Sequence, residues 1–401
     1  LGVNAVVGSG IYLFPGKLAQ ALGPASVLAW LATGVCCLPV ALAYAVLGAR
    51  EQRTGGSFRY AELAFGKGVG FVVGWSAWVT SVVSWAAVAS ALPSYLEPFL
   101  PGLARGAPAL FVSTAIVVGL ALVNVRGARP GARVMDALTL LKLVPLLLFV
   151  AIGLTAVDPA RFAELAPRGL GALPSLTLMT LFAYQGFEVV GIPSGEVVNP
   201  ARAVPRAVLL SLALPAALYV AIQLVFVGVG GTASDAPLAD AARGFMGPGG
   251  ATLLAVGGLV SMLGFSAGAA LCTPRYLQAL ADERLVPGWL GRIHPRHATP
   301  AAAILASAGV TVVLLLVLDF DRLVDLAALA VLLQYLATSA ALVRLGRGWQ
   351  RGLGGLACVV SLFFGAQAAL NELVLLALLT VVGVAVAVVT RRLSRSSPTG
   401  P

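Results

Sequence analysis

Two charged side chains stand where charge is costly. Lys142 lies within Leu140-Leu141-Lys142-Leu143-Val144-Pro145, and Glu188 closes the run Leu181-Phe182-Ala183-Tyr184-Gln185-Gly186-Phe187-Glu188. Insertion of such a charge into a bilayer costs about 3 kcal/mol or more, so each is a functional candidate by position. Burial disfavours the charged form of an amine, which makes a desolvated lysine a group able to gain or lose a proton. The plainer reading of Lys142 is a side chain that snorkels to the interface. For Glu188 it is a hydrogen-bonded tie between neighbouring helices. Two backbone stretches carry chemistry of their own. Gly8-Ser9-Gly10, followed by Pro15-Gly16, weakens the helix around it and frees peptide N–H and C=O groups. Gly186 does the same inside the apolar stretch 174–198. Lipid satisfies none of these groups, so such breaks persist only when buried in protein or lining a cavity.

The other reactive residue types point elsewhere. His294-Pro295-Arg296-His297 offers only two imidazoles on a basic connection, and Asp319, Asp321 and Asp325 lack the alternating oxygens of a calcium loop. They read as solvated capping residues. Cys36, Cys37, Cys272 and Cys358 have no CxxC spacing and read as small packing residues. No metal centre, cofactor or catalytic constellation is implied.

The elements that must hold these groups are membrane segments. Hydrophobic residues make up 59% of the 401 and charged residues only 10%, against about 25% charged in soluble domains. A span needs about 20 apolar residues. Twelve candidates follow, at 1–21, 25–48, 69–97, 107–125, 134–157, 174–198, 203–230, 250–281, 299–318, 322–345, 353–369 and 371–390. The long polar connections are 49–68, 158–173, 231–249 and 282–298, none large enough for a soluble domain. The chain opens on Leu1, almost inside an apolar segment, which reads as a native start lying upstream; no signal peptide is visible.

Of the 26 basic residues, one alternate set of connections plus the tail holds 19 and the other set six, with Lys142 inside the fifth segment. This positive-inside bias predicts both termini in the cytoplasm and an even number of spans. It also accounts for the net charge of +10 without nucleic acid, and allows contact with anionic lipid. The breaks fall in segments one and six, five apart. Interrupted helices at corresponding places in two halves are the pattern of an inverted-repeat transporter, with its site between them at the midplane.

Several ordered motifs make the pattern more specific. Gly8-Ser9-Gly10-Ile11-Tyr12 with Pro15-Gly16 resembles the first-helix motif of the amino acid–polyamine–organocation (APC) superfamily. Thr54-Gly55-Gly56-Ser57-Phe58-Arg59-Tyr60 with Phe65-Gly66 is similar to its loop between helices 2 and 3. Phe182 to Glu188, then Gly195-Glu196, Asn199-Pro200-Ala201-Arg202 and Pro205-Arg206, resembles its helix-6 signature. Thr273-Pro274-Arg275 and Ala279-Leu280-Ala281-Asp282 before Pro287 resemble its helix-8 end. The matches run from residue 8 to about 300, and the last two segments carry none. Family members have a longer stretch of helix before the first motif.

The resemblance implies an all-α polytopic membrane protein of about 12 transmembrane helices with a LeuT-like 5+5 inverted repeat. It places the transporter core at 1–345, the repeats at about 1–157 and 174–345, and two accessory helices with a cytoplasmic tail at 346–401. It also implies an amino acid held between broken helices 1 and 6, around Gly8, Ser9, Gly10, Ile11 and Gly186. The N–H groups of Gly8, Ser9 and Gly10 at a half-helix start suit an α-carboxylate. Freed carbonyls of Val6, Val7, Phe182, Ala183 and Gln185 suit an α-ammonium. Phe182 matches the aromatic gate over the substrate, although a Phe in a span is commonly packing. Lys142 matches a helix-5 lysine that replaces sodium in proton-coupled members, bridging helix 1 to helix 8. Glu188 matches an acid that helps couple proton and substrate in antiporters, with the structural tie as the equal alternative. Glu196 reads as structural, bonding loop amides or an arginine such as Arg59 or Arg275.

Function is therefore expected to be secondary active transport of an amino acid across the cell membrane, with the proton as coupling ion and lipid as the surrounding partner. An exchanger, a polyamine or organocation transporter and a non-transporting amino acid sensor are alternatives on the same fold. A channel would want a polar stripe along a span and an enzyme an acid–base pair, and neither is present. The scarcity of deep acids besides Glu188, apart from Asp136 near the entrance to segment five, argues for neutral substrates. Oligomeric state is not legible.

Overall fold

The computed structural model describes residues 6–51, 55–127, 132–191 and 199–396. Thr54, Gly195 and Glu196 lie outside the described residues, as does the side chain of Asp136. Every regular element among the described residues is helical. The first apolar segments give α1 (Gly10–Leu22), α2 (Val27–Arg50), α3 (Ser57–Phe65) and α4 (Lys67–Leu96). Then come α5 (Gly106–Val125), α6 (Ala132–Gly153) and α7 (Leu173–Tyr184), with a 3₁₀ turn over Phe187–Gly191. The second half holds α8 (Pro200–Gly228), α9 (Pro237–Asp282), α10 (Ala301–Val317) and α11 (Phe320–Leu345). Two last helices follow, α12 (Trp349–Gly365) and α13 (Leu370–Ser396).

Among the described residues, seven helical stretches are long and apolar enough to cross a membrane. One of them, Gly10–Arg50, contains both α1 and α2. Length excludes α7, which stops after 12 residues, and α10 and α12, which have 17 each. A 12-residue helix covers about 18 Å at 1.5 Å per residue, well under a hydrocarbon core of about 30 Å. The segment interrupted at Gly186 thus falls out of such a count because it is interrupted.

Two polar connections are more structured than their composition suggests. Residues 49–68 contain α3, bounded by Gly56 (φ 52°) and Gly66 (φ 90°). Residues 231–249 contain the first turns of α9, which bends at Gly247 (φ 70°) ahead of Pro248. The glycines and proline that read as loop signals are the joints between short helices. In 158–173, the Arg168 guanidinium donates to the carbonyls of Ala19 and Gln20, placing a cation at the C-terminal end of α1.

Burial ranks the helices. In their most apolar windows α4 is 89% and α11 72% buried, against 17% for α5 and 11% for α13, so α4 and α11 form the middle and α5 and α13 the rim. Lipid tails are as apolar as leucine, so close approach and interhelical hydrogen bonds must hold such a bundle. α4 meets α11 through Ser76 Oγ donating to Ala330 O (2.6 Å) and Gln334 Nε2 donating to Thr80 Oγ1 (3.0 Å). Gly257 and Gly258 let α9 cross tightly: a Cβ there would stand 2.7 Å from Pro145 and 2.5 Å from Tyr95. That crossing brings α6, and Lys142 with it, against the start of the chain.

Candidate functional site

The first break runs over Val7, Gly8 and Ser9, which are non-helical between helical Val6 and α1. The second lies where α7 ends: Gln185 is extended (φ −60°, ψ 146°) and Gly186 takes φ 125°, a backbone that favours glycine. The two breaks are side by side. A Cβ on Gly10 would stand 2.6 Å from Ala183 Cβ, so the bare glycine is what permits the approach. Both interruptions thus fall at the residues the sequence singles out.

Side chains from three other helices grip the exposed peptide groups. The Lys142 ammonium on α6, 1% exposed, donates to Val7 O at 2.5 Å. It does not snorkel. Ser261 on α9 donates toward Gly8 O (3.2 Å) and lies 3.5 Å from Val7 O. On α8 the Tyr219 hydroxyl lies 2.9 Å from Val6 O and 3.1 Å from Ala183 O, touching one carbonyl of each break. Lys142 is itself seated: its own carbonyl accepts from Tyr12 OH (3.0 Å), and Tyr12 O accepts from Tyr95 OH (2.7 Å). Val7 O therefore already holds a protein donor, and the single Tyr219 proton goes to either Val6 O or Ala183 O, each carbonyl having a second lone pair.

Glu188, buried, is turned back onto its own break. Its Oε2 accepts from Gly186 N (2.8 Å) and from Tyr335 OH on α11 (3.0 Å), tying the second break to the central helix. Tyr335 stacks on Phe187, ring centres 5.2 Å apart, and meets Tyr44 edge-on at 6.0 Å. On the other side, Phe182 lies 6.1 Å from Phe14, and Phe14 lies 6.3 Å from Phe320. Beyond this aromatic layer Lys17 pairs with Asp321 and sits 5.4 Å over the Phe320 ring.

Two polar atoms of the breaks remain unpaired. Ser9 Oγ and Gln185 Nε2 are buried and have no hydrogen-bond partner among the described residues. Elsewhere, Asp319 caps α11 by accepting from Arg322 N (2.9 Å), and His294 and His297 stack 4.9 Å apart. No group of three potential metal ligands occurs among the described residues. Tyr219, Ser261, Tyr95 and Tyr335 have no role in the sequence reading, and Tyr12 enters it only as a residue of the first motif. The available signal was a hydroxyl in an apolar span, which must find a partner when buried.

The family described as amino acid permease matches residues 1–395. Cationic amino acid transporter 4 of Mus musculus is 30% identical over 373 residues, covering 86% of this chain and 58% of that protein. The branched-chain amino acid permease BcaP of Bacillus subtilis is 26% identical, with 86% of this chain and 78% of the relative covered. The serine/threonine exchanger SteT of Bacillus subtilis is 27% identical, covering 84% and 78%. The chain thus spans little more than half the length of the mouse relative and about three quarters of the bacterial ones.

Proposed function

This chain belongs to the amino acid permease family, and from that premise we propose that it is a secondary active transporter that moves an amino acid by alternating access. The amino acid lies between the two breaks. Its α-carboxylate is met by the amides of Gly8, Ser9 and Gly10, and its α-ammonium by carbonyls of Val6, Val7, Phe182, Ala183 and Gln185. Ile11 and Gly186 complete the site, and Phe182, packed on Phe14, is the gate over it. The observation that carries the reading is the approach of Gly10, the first residue of α1, to Ala183, next to the end of α7, which brings the two breaks close together.

The coupling ion in this reading is the proton, with Lys142 as the main switch. As an ammonium it bonds Val7 O across α6 and the first break, beside Ser261 of α9. Loss of the proton leaves a neutral amine and a weaker hold, since hydrogen bonds to charged groups are about twice as strong as neutral ones. The break and its neighbours are then free to change partners. Glu188 is the second coupling group: protonating it weakens its acceptance from Gly186 and Tyr335 and loosens the second break from α11.

The architecture that goes with this function is twelve membrane segments, repeats at about 1–157 and 174–345, and accessory helices at 346–401. Both termini are cytoplasmic and the membrane is the cell membrane. Exchange is the second reading, favoured by the likeness to a serine/threonine exchanger.

Reconstituted protein and labelled amino acids decide among these. Uptake into liposomes that grows with an inward proton gradient is the expected result. Uptake that needs amino acid inside the vesicle and ignores the gradient would establish exchange. Transport of no amino acid under either condition would overturn the proposal.

A further inference from the structure

Building on the transport reading, we infer that the preferred substrate is a neutral amino acid whose short side chain carries an acceptor oxygen, a hydroxyl above all, and that Gln185 is the residue that selects it. The inference starts from the two unpaired atoms. Ser9, 1% exposed, and Gln185, 9% exposed, each belong to a break, and these two breaks adjoin at Gly10 and Ala183. Their Oγ and Nε2 are the buried side-chain polar atoms of the breaks that lack a partner among the described residues. A buried donor left unmet is more costly than a made hydrogen bond is favourable, so native proteins rarely keep one without reason.

Side-chain chemistry then sorts the amino acids. Gln185 Nε2 is a donor and needs an acceptor. An aliphatic side chain supplies none and leaves both atoms unmet. Ammonium and guanidinium groups bring only donors. The buried acid of the second break, Glu188, already accepts from Gly186 N and Tyr335 OH. A carboxylate side chain would accept, but it adds a second buried negative charge to that of Glu188, and the cation that touches the breaks, Lys142, already bonds Val7 O. A hydroxyl has lone pairs for Gln185 and a proton or lone pair for Ser9. It meets both needs without charge. A site built to bond a substrate hydroxyl discriminates strongly against the analogue that lacks it.

Threonine and valine make the test sharp, because they differ only by hydroxyl against methyl. In liposomes holding the full chain, the uptake efficiency of threonine should exceed that of valine by about tenfold or more. Gln185→Leu, which removes the donor, and Gln185→Glu, which replaces it with an acceptor, should both draw that ratio toward one. Glycine uptake serves as the reference for transport that remains. Thermal stabilisation of detergent-solubilised wild-type protein by threonine but not valine gives a second readout that does not depend on the variants folding. A wild-type ratio near one, or a preference for valine, overturns the inference while leaving transport intact. So does a high ratio that both substitutions leave unchanged. Absence of uptake for glycine, threonine and valine together would strike at the transport reading itself.

Discussion

The ammonium of Lys142 lies 2.5 Å from the carbonyl oxygen of Val7, so the one cation inside the fifth apolar segment is spent on an interrupted piece of backbone. Removing it should uncouple transport from the proton. A hydrogen bond from a charged donor contributes about 1.5–3 kcal/mol, or about 10- to 100-fold in a coupled step. Lys142→Ala should lose gradient-driven uptake by that order while eluting as folded protein on size exclusion. Undiminished gradient-driven uptake would show that Lys142 is structural.

Tyr219 links the breaks through Val6 O and Ala183 O. Tyr219→Phe keeps the ring and deletes the hydroxyl, a change of about 1 kcal/mol for a neutral bond. Apparent KM for the amino acid should rise about fivefold, which uptake kinetics would read. An unaltered KM would place Tyr219 outside the binding step.

Glu188 separates two roles by its substitutions. Glu188→Gln keeps an oxygen for Gly186 N and Tyr335 OH and loses the charge, whereas Glu188→Ala abandons both donors at a cost of about 1–3 kcal/mol each. Thermal melts should therefore show the Ala variant clearly less stable and the Gln variant close to wild type. If the Gln variant also loses the pH dependence of uptake, Glu188 couples; if it keeps it, Glu188 only ties the break to α11.

Gly10→Ala forces a methyl to 2.6 Å from Ala183 Cβ. Overpacking of that kind costs about 1–3 kcal/mol and here would push the two breaks apart. Uptake should collapse. Gly119→Ala, on α5 with nothing within 4 Å of the added atom, is the matched control and should behave as wild type.

At the end of α4, outside the bundle, Glu97 accepts from Gly102 N (2.9 Å) and Ala104 N (2.7 Å). Those amides hold its carboxyl below the ordinary value of 4.5. A depressed carboxyl stabilises the folded loop above its unfolded value, and that contribution is lost as pH falls through the folded one. Amide exchange at Gly102 and Ala104 should therefore speed up, relative to neighbouring amides, as the pH falls below the ordinary glutamate value and through the lowered one. In Glu97→Gln this pH-specific change should vanish.

Legibility of the fold and site followed the range of the interactions. Gly8 and Gly186 lie within the breaks, which could therefore be placed from sequence, whereas Gly10, the first residue of α1, acts at long range against Ala183. Lys142 and Glu188 were visible because charge at depth is rare, but their partners were not. Val7 O and Tyr335 OH lie 135 and 147 residues away along the chain. The hydroxyls of Tyr219 and Ser261 signalled the need for a partner but not which one; an α-helical hydroxyl reaches a distant carbonyl only once helices have crossed. In the same way α3 and the outer turns of α9 were hidden by the glycines and proline that end them. The residues resembling the helix-2/3 and helix-6 motifs are described only in part, with Thr54, Gly195 and Glu196 outside.

The hydroxyl of Tyr219 owns a single hydrogen, yet it faces two oxygens, one from each half of the chain. Whichever oxygen receives that hydrogen, the other looks at a lone pair. At Tyr219 the two breaks thus share one bond and one open acceptor, and a rotation about the phenolic C–O axis is enough to pass the bond from one to the other.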